Sequence, residues 1–176
     1  MLDGYEWAVK NITAEKREAV SVISMSLGGP QSDAFNAAVA AAYEAGVLSV
    51  VAAGNSADEA VWYSPASAPE AITVGATDNT NARAYFSNYG VLLDVFAPGV
   101  DVLSAWIGSK TATNTISGTS MATPHVAGLA LYLIVLEGLT SPKAVTDRIV
   151  ELSSKDLIKD PGMGSPNTLA FNGATA

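Results

Sequence analysis

A chain of 176 residues can bury a hydrophobic core, and one is expected here because 49% of the residues are apolar and 15% are charged. The formal net charge of −8 argues against a nucleic-acid partner, since the 9 Lys and Arg residues form no patch to meet phosphate. Cysteine is absent, which excludes disulfides and cysteine metal sites, and we expect no membrane partner because no apolar run approaches roughly 20 residues.

The first two predicted elements are a helix and a strand. Residues 2–12 form a helix in this prediction, with four apolar side chains on one face: Leu2, Tyr5, Val9 and Ile12. Residues 19–25 are a β-branched apolar run, typical of a buried strand, and residues 26–30 carry the Gly and Pro of a turn.

A second helix and strand follow, and they complete a βαβ unit. Ser32 is placed to cap a helix over residues 34–43, and Gly46 stands where a helix C-terminus favours positive φ. Residues 47–51 are a second apolar run that predicts a buried strand. A helical crossover of this length makes the two strands parallel.

The rest of the chain continues the alternation. Further short strands are predicted at residues 71–75, 92–96 and 102–106, and a long helix at residues 120–137. Another helix begins at Ser141, with a proline at its first position. The chain is therefore predicted to be α/β, with a mostly parallel sheet and helices on both faces, and no linker divides it into domains.

Ser120 has the surroundings of an exposed nucleophile. It lies among small residues where a strand-like stretch passes into a helix, and Gly118 would permit a sharp turn. The free N–H groups at the start of that helix would face an oxyanion forming there.

Two Gly-rich loops follow the predicted parallel strands, at residues 26–29 and 52–55. Sites in open α/β sheets form at the carboxyl ends of strands, and small residues let an extended peptide approach the backbone closely. Each loop alone is also explained as a tight strand-to-helix turn; their occurrence together with the Ser120 segment favours a site.

Five segments of the chain together resemble the subtilisin-like serine proteases, and within them the fungal proteinase K-type enzymes. The matching segments are residues 25–29, 51–55, 63–67, 86–90 and 118–128. The resemblance implies a C-terminal portion of one peptidase domain over residues 1–176, with N-terminal strands of the family's sheet missing. It also implies secretion, although the chain's own N-terminus has no signal peptide pattern.

The resemblance assigns roles to individual residues. Ser120 would be the nucleophile, and Asn55 would donate its side-chain N–H to the oxyanion together with the backbone N–H of Ser120. Ser26, Leu27 and Gly28 would form one wall of a cleft for an extended peptide or protein substrate. Ala52, Ala53 and Gly54 would form the opposite wall, and all six residues are uncharged. Uncharged walls favour an apolar or aromatic side chain in the pocket.

A structural calcium ion is also implied by the resemblance. Asp94 would supply a carboxylate, and Pro69 and Ala71 would supply main-chain carbonyls, all of them the oxygen ligands that calcium requires. A solvent-facing aspartate after a strand is the alternative interpretation of Asp94.

The family's catalytic Asp and His are not found in these residues. The family order is Asp, His, Ser, but neither an Asp-Ser/Thr-Gly nor a His-Gly-Thr-His pattern occurs, and His125 is the single histidine. His125 is five residues after Ser120, about 140° around the helix, so we expect a packed helix residue and not a base. We predict a serine endopeptidase by family that is inactive as this chain alone; the alternative is a non-catalytic relative that binds extended peptides.

Overall fold

The computed structural model describes residues 1–174, which contain helices and short strands in alternation. The helices are α1 (Leu2–Ala14), α2 (Asp33–Glu44), α3 (Thr119–Glu137) and α4 (Pro142–Leu152), with 3₁₀ turns at Glu18–Val20 and Ala60–Trp62. The strands are β1 (Val22–Met25), β2 (Gly29–Pro30), β3 (Leu48–Ala52), β4 (Tyr63–Ser64), β5 (Ile72–Thr77), β6 (Val95–Pro98), β7 (Val102–Ala105), β8 (Thr113–Ile116), β9 (Ser154–Lys155) and β10 (Thr168–Leu169).

One mainly parallel sheet organises the molecule. Its strand order is β1-β3-β5-β6-β10-β9, and the pairs from β1 through β10 are parallel, with β9 antiparallel at one end. In this register Met25 pairs with Val51, so β1 and β3 end side by side. The predicted fold class is therefore confirmed, and the loops that follow β1 and β3 meet at the same edge of the sheet.

Helices cover both faces of this sheet, because the central strands carry apolar side chains on both faces. On one face, Leu48 and Val50 belong to the cluster formed with α3 and α4. On the other face, Val51 belongs to the cluster formed with α1 and α2, where Tyr5 and Phe35 are buried. All five residues of β3 are buried, which makes it the best-protected strand beside the site.

Helix α3 is the central helix of the first face. Its 19 residues have the length and apolar composition of a membrane-crossing helix, which the sequence analysis did not expect, but 44% of that stretch is buried inside the protein. It packs against β1, β3, β5 and β6, and the core helix of a globular protein has the same composition. Its outer face still exposes apolar side chains, with Val135 77% and Leu136 61% accessible.

The first predicted strand differs from the structure. Residues 19–25 were expected to form a buried strand, but Glu18–Val20 is a 3₁₀ turn and only Val22–Met25 pairs. Within residues 1–174, β1 lies at one end of the sheet, so Val22 and Ile23 are half-buried and Ser24 is exposed. Periodicity marks an apolar strand but does not say whether both of its faces are covered.

The last predicted strand forms, but it lies outside the main sheet. Residues 102–106 were predicted as a strand, and β7 does form there, but it pairs with β8 as a separate antiparallel ribbon. This ribbon lies outside the main sheet and exposes Leu103, which is 67% accessible.

Candidate functional site

A cavity opens where the loops after β1 and β3 meet the N-terminus of α3. Its volume is about 230 Å³, and seven residues that sequence analysis assigned to the site line it: Leu27, Gly28, Ala52, Ala53, Gly54, Asn55 and Ser120. The structure thus brings both predicted walls and both predicted catalytic residues around one space. No charged side chain lines this cavity within the described residues, which fits an apolar or uncharged occupant.

Ser26 is hydrogen-bonded to Ser120 and is exposed beside the cavity. The Ser120 hydroxyl donates to the Ser26 carbonyl at 3.4 Å, while the Ser26 hydroxyl donates to the Ser120 carbonyl at 2.7 Å. This reciprocal pair ties the end of the first wall to the first turn of α3. The Ser120 hydroxyl has no nitrogen base among its hydrogen-bond partners in residues 1–174.

Asn55 is oriented by Thr119, which sequence analysis did not single out. The Asn55 Oδ1 accepts from the Thr119 backbone N at 2.8 Å and from its hydroxyl at 2.9 Å. Because both of these bonds use the oxygen of the amide, the Asn55 Nδ2 remains free to donate elsewhere. Thr119 is fully buried, and its hydroxyl also accepts from the Gly54 N at 3.2 Å. Its place beside Ser120 in the segment of residues 118–128 was the available signal.

Gly118 differs from the expectation of a sharp turn. Its φ of 161° is extended backbone, open to any residue. A Cβ added there would lie 3.6 Å from the Ser120 N and 3.7 Å from the Asn55 Nδ2. Two donors therefore converge on the space that a side chain at Gly118 would fill, and the first-turn N–H of an α-helix has no partner within its own helix. An oxyanion hole requires two such donors close to one point.

Tyr63, Ser64 and Ala66 are among the further residues that line the cavity and that the sequence did not assign to the walls. The short antiparallel pairing of Gly29 with Ser64 brings them under the first wall. They lie within residues 63–67, one of the segments that resemble the family, and this resemblance was the only sequence signal for them.

His125 is exposed and not packed, and within the described residues it hydrogen-bonds to Met121 and not to Ser120. Its Nδ1 lies 2.8 Å from the Met121 carbonyl one turn earlier on α3, and its side chain is exposed. His125 instead lines a separate cavity with Leu103 and Met121. The expectation of a packed histidine is therefore wrong within the described residues.

Asp94 lies at the start of β6, against β5. Its Oδ2 accepts from the Thr73 N at 2.7 Å, and burial raises the pKa of this carboxyl to about 6, partly offset by that hydrogen bond. Ala71 is buried two residues before Thr73, and Pro69 is exposed. A desolvated carboxylate that uses one oxygen within the protein fits an oxygen-ligated cation. Residues 1–174 contain no cluster of three or more His, Asp or Glu side chains for a metal, so carbonyls would have to complete the ligand set.

The fold and the cavity define a class: α/β proteins with a serine at the N-terminus of a core helix, beside a cavity at the carboxyl ends of parallel strands. Comparison with known proteins narrows this class to one family, since the model of the subtilase family matches residues 1–166. The chain is 63% identical over 174 residues to Alkaline protease 1 of Aspergillus clavatus, covering 99% of this chain and 43% of that protein. It is 64% identical to Subtilisin-like proteinase Mp1 of Magnaporthiopsis poae, covering 100% of this chain and 44% of that one.

A solved structure agrees with these sequence matches. A cold-adapted subtilisin-like serine proteinase superposes with a TM-score of 0.88 at 42% identity, covering 99% of this chain and 61% of that chain. The chain belongs to the subtilase family of subtilisin-like serine proteases. It spans less than half of the length of the curated relatives named above.

Proposed function

We propose that residues 1–176 are the C-terminal, serine-bearing portion of a single secreted peptidase domain that hydrolyses peptide bonds within extended peptides or proteins. The observation that carries this is that Ser120 and Asn55 line one uncharged cavity, while the Ser120 N and the Asn55 Nδ2 lie 3.6 and 3.7 Å from the point that a Cβ at Gly118 would occupy. Ser120 would attack the scissile carbonyl, the two N–H donors would bind the oxyanion, and water would then hydrolyse the acyl-enzyme. Secretion is proposed from the family resemblance.

We propose further that this chain alone is inactive, because no nitrogen base hydrogen-bonds to the Ser120 hydroxyl within residues 1–174. In subtilisin, loss of the catalytic histidine lowers turnover by about 2 × 10⁶-fold. A further segment of the same domain would supply His and Asp, and its binding face would be the open end of the sheet. A cavity of about 450 Å³ lies there, lined among others by Trp7, Val20 and Leu131, of which Trp7 is 69% accessible. The coding sequence before Met1 tests this directly: it should contain an in-frame Asp-Ser/Thr-Gly and a His-Gly-Thr-His-like segment.

A fluorophosphonate probe tests the catalytic proposal. The chain alone should react slowly, and the chain completed by a His- and Asp-bearing segment should be labelled rapidly at Ser120. Ser120→Ala should abolish the label, while Ser117→Ala, at a nearby exposed serine, should leave it unchanged. Rapid labelling of the chain alone would contradict the proposed inactivity.

The same samples distinguish the alternative function. Absence of labelling in the completed protein, with tight binding of an extended peptide that survives Ser120→Ala and Asn55→Ala, would favour a non-catalytic binding relative. Pure binding needs neither the serine hydroxyl nor the Asn55 amide.

A structural calcium ion at Asp94, with the carbonyls of Pro69 and Ala71, is proposed from the resemblance and the desolvated carboxylate. Its chemistry would be to balance that buried charge and join the start of β6 to the chain before β5. Calcium at about 100 times its Kd should stabilise the fold by about 2.7 kcal/mol. This should raise the Tm of the wild type and of Asp78→Asn, whose exposed carboxyl only caps a turn, but not that of Asp94→Asn.

A further inference from the structure

The loop that carries Asn55 is held by a buried amide, that of Asn88. Asn88 is 0% exposed and lies between β5 and β6, outside the residues that line the cavity. Its Oδ1 accepts from the Ser56 N at 2.9 Å and from the Asp58 N at 3.2 Å. Its Nδ2 donates to the Ala53 carbonyl at 2.8 Å. One side chain therefore bonds to the backbone on both sides of Asn55.

The backbone of the two segments is also joined at this point. The Asn88 N donates to the Gly54 carbonyl at 2.9 Å. Gly54 has a φ of +105°, and a Cβ added to it would lie 2.4 Å from the Asn88 Nδ2. The approach of the Asn88 amide thus requires both the conformation and the missing side chain of a glycine next to Asn55.

A buried asparagine that braces a loop is common and is explained by the cost of unpaired polar groups. Here the loop is also held from the side of α3, because the Thr119 N and hydroxyl donate hydrogen bonds to the Asn55 Oδ1. Thr119 fixes the rotation of the Asn55 amide, and Asn88 fixes the backbone from which that amide extends. Removing either hold leaves the other unable to define where the Nδ2 lies relative to Ser120.

We propose that Asn88 is a positioning residue for the oxyanion donor Asn55, acting through the backbone bonds that straddle it. The proposal rests on the function proposed above, in which Asn55 contacts the reacting carbonyl oxygen. Loss of one such donor in subtilisin lowers turnover about 10²–10³-fold, and a displacement of about 1 Å in an active site costs up to about 10²-fold. We expect Asn88→Ala to lower kcat about 10–100-fold with KM within about threefold, since Asn88 does not line the cavity.

The matched control is Asn167→Ala. The Asn167 side chain also braces a loop by accepting from the Ile158 N at 2.8 Å and donating to the Ile158 carbonyl at 2.9 Å, but it does not line the cavity. Asn167→Ala removes the same chemical group as Asn88→Ala and a comparable set of hydrogen bonds. A kcat loss that comes from general loosening would therefore appear in both variants.

The first arm uses the ¹⁵N-labelled 176-residue chain and the side-chain N–H₂ resonances of Asn55. In the wild type and in Asn167→Ala these resonances should be one sharp pair, whereas in Asn88→Ala they should shift or broaden. Should Asn88→Ala not fold, Asn88→Asp replaces it: a neutral carboxyl can still donate to the Ala53 carbonyl, so the wild-type signal should return on acidification. Asn55 resonances unchanged by both Asn88 variants would overturn the proposal.

The second arm uses the chain completed by its His- and Asp-bearing segment. Asn88→Ala should lose its effect on kcat when Asn55 is already alanine, because a residue that acts only through Asn55 has nothing left to position. An equal loss of kcat in both backgrounds would refute the positioning role. An inactive wild type would instead count against the proposed function, and the Asn55 resonances would still decide the role of Asn88.

Discussion

Gly99 holds the extended backbone at Gly118 that leads into Ser120, and Gly99→Ala should destabilise the fold measurably. Gly99 directly follows β6, and its carbonyl accepts from the Gly118 N at 2.8 Å. A Cβ at Gly99 would lie 2.6 Å from the Ala76 Cβ and 2.8 Å from the Gly118 carbonyl oxygen. Neither neighbour is the flexible end of a long side chain, so the backbone must move.

The size of the effect follows from these distances. Restoring an ordinary contact of 3.4 Å to Ala76 requires a shift of about 0.8 Å in a tightly packed region. Overpacking of this kind costs about 1–3 kcal/mol. For a domain of this size each kcal/mol lowers Tm by about 2–4 °C, so Gly99→Ala should melt about 2–12 °C below the wild type.

Thermal unfolding followed by circular dichroism, with Gly128→Ala as control, measures this. Gly128 lies within α3, and a Cβ there would meet nothing within 4 Å, so alanine should stabilise the helix by about 0.5–1 kcal/mol. The two identical chemical changes should therefore shift Tm in opposite directions. A Gly99→Ala protein that melts at or above the wild-type Tm would refute the reasoning.

Other substitutions test the packing around the site. Tyr5→Phe removes the hydroxyl that pairs with the buried Ser49 Oγ at 2.8 Å, and should lower the free energy of unfolding in urea by about 1–3 kcal/mol. Leu133→Ala empties a fully buried position of α3 and should cost about 2–5 kcal/mol, against less than about 0.5 kcal/mol for Leu136→Ala on its exposed face; equal losses would contradict the packing. Ser141→Ala removes the side chain that accepts from the first turn of α4 and should cost about 1 kcal/mol by calorimetry, whereas Ser141→Asp should cost almost nothing.

The helices were predictable from local signals. Ser32 and Ser141 cap α2 and α4 as expected, each accepting from a backbone N–H three residues later. Gly46 has the positive φ of 85° that its position after α2 implied. Caps and helix ends depend on residues within one turn of each other, so a sequence contains the information needed to place them.

The strands were less predictable, because their boundaries depend on distant partners. The strand expected at residues 92–96 is Val95–Pro98, displaced toward the positions that pair with β5. β2, β4, β9 and β10 are two residues each and show no periodicity.

The residues of the candidate site also differ in how far they could be predicted from local sequence. The gathering of Ser120, Asn55 and the wall residues at one cavity could be predicted from short motifs at strand ends, and their catalytic and binding roles stay predictions. Thr119 and Asn88 could not be assigned their roles, since their bonds to the Asn55 loop join residues 64 and 30–35 positions apart. Such pairings become visible only when the sheet has brought the loops together.

The two walls of the cavity extend from strands of very different protection. Ala52 ends β3, in which every residue is buried, so we expect the backbone there to be among the last to open. Leu27 follows β1, which is only partly buried and pairs with β3 alone in residues 1–174. The two walls should therefore differ in local stability: the Leu27 wall, which the Ser26–Ser120 hydrogen bonds hold to α3, should open at a lower free energy than the Ala52 wall, which leads to Asn55.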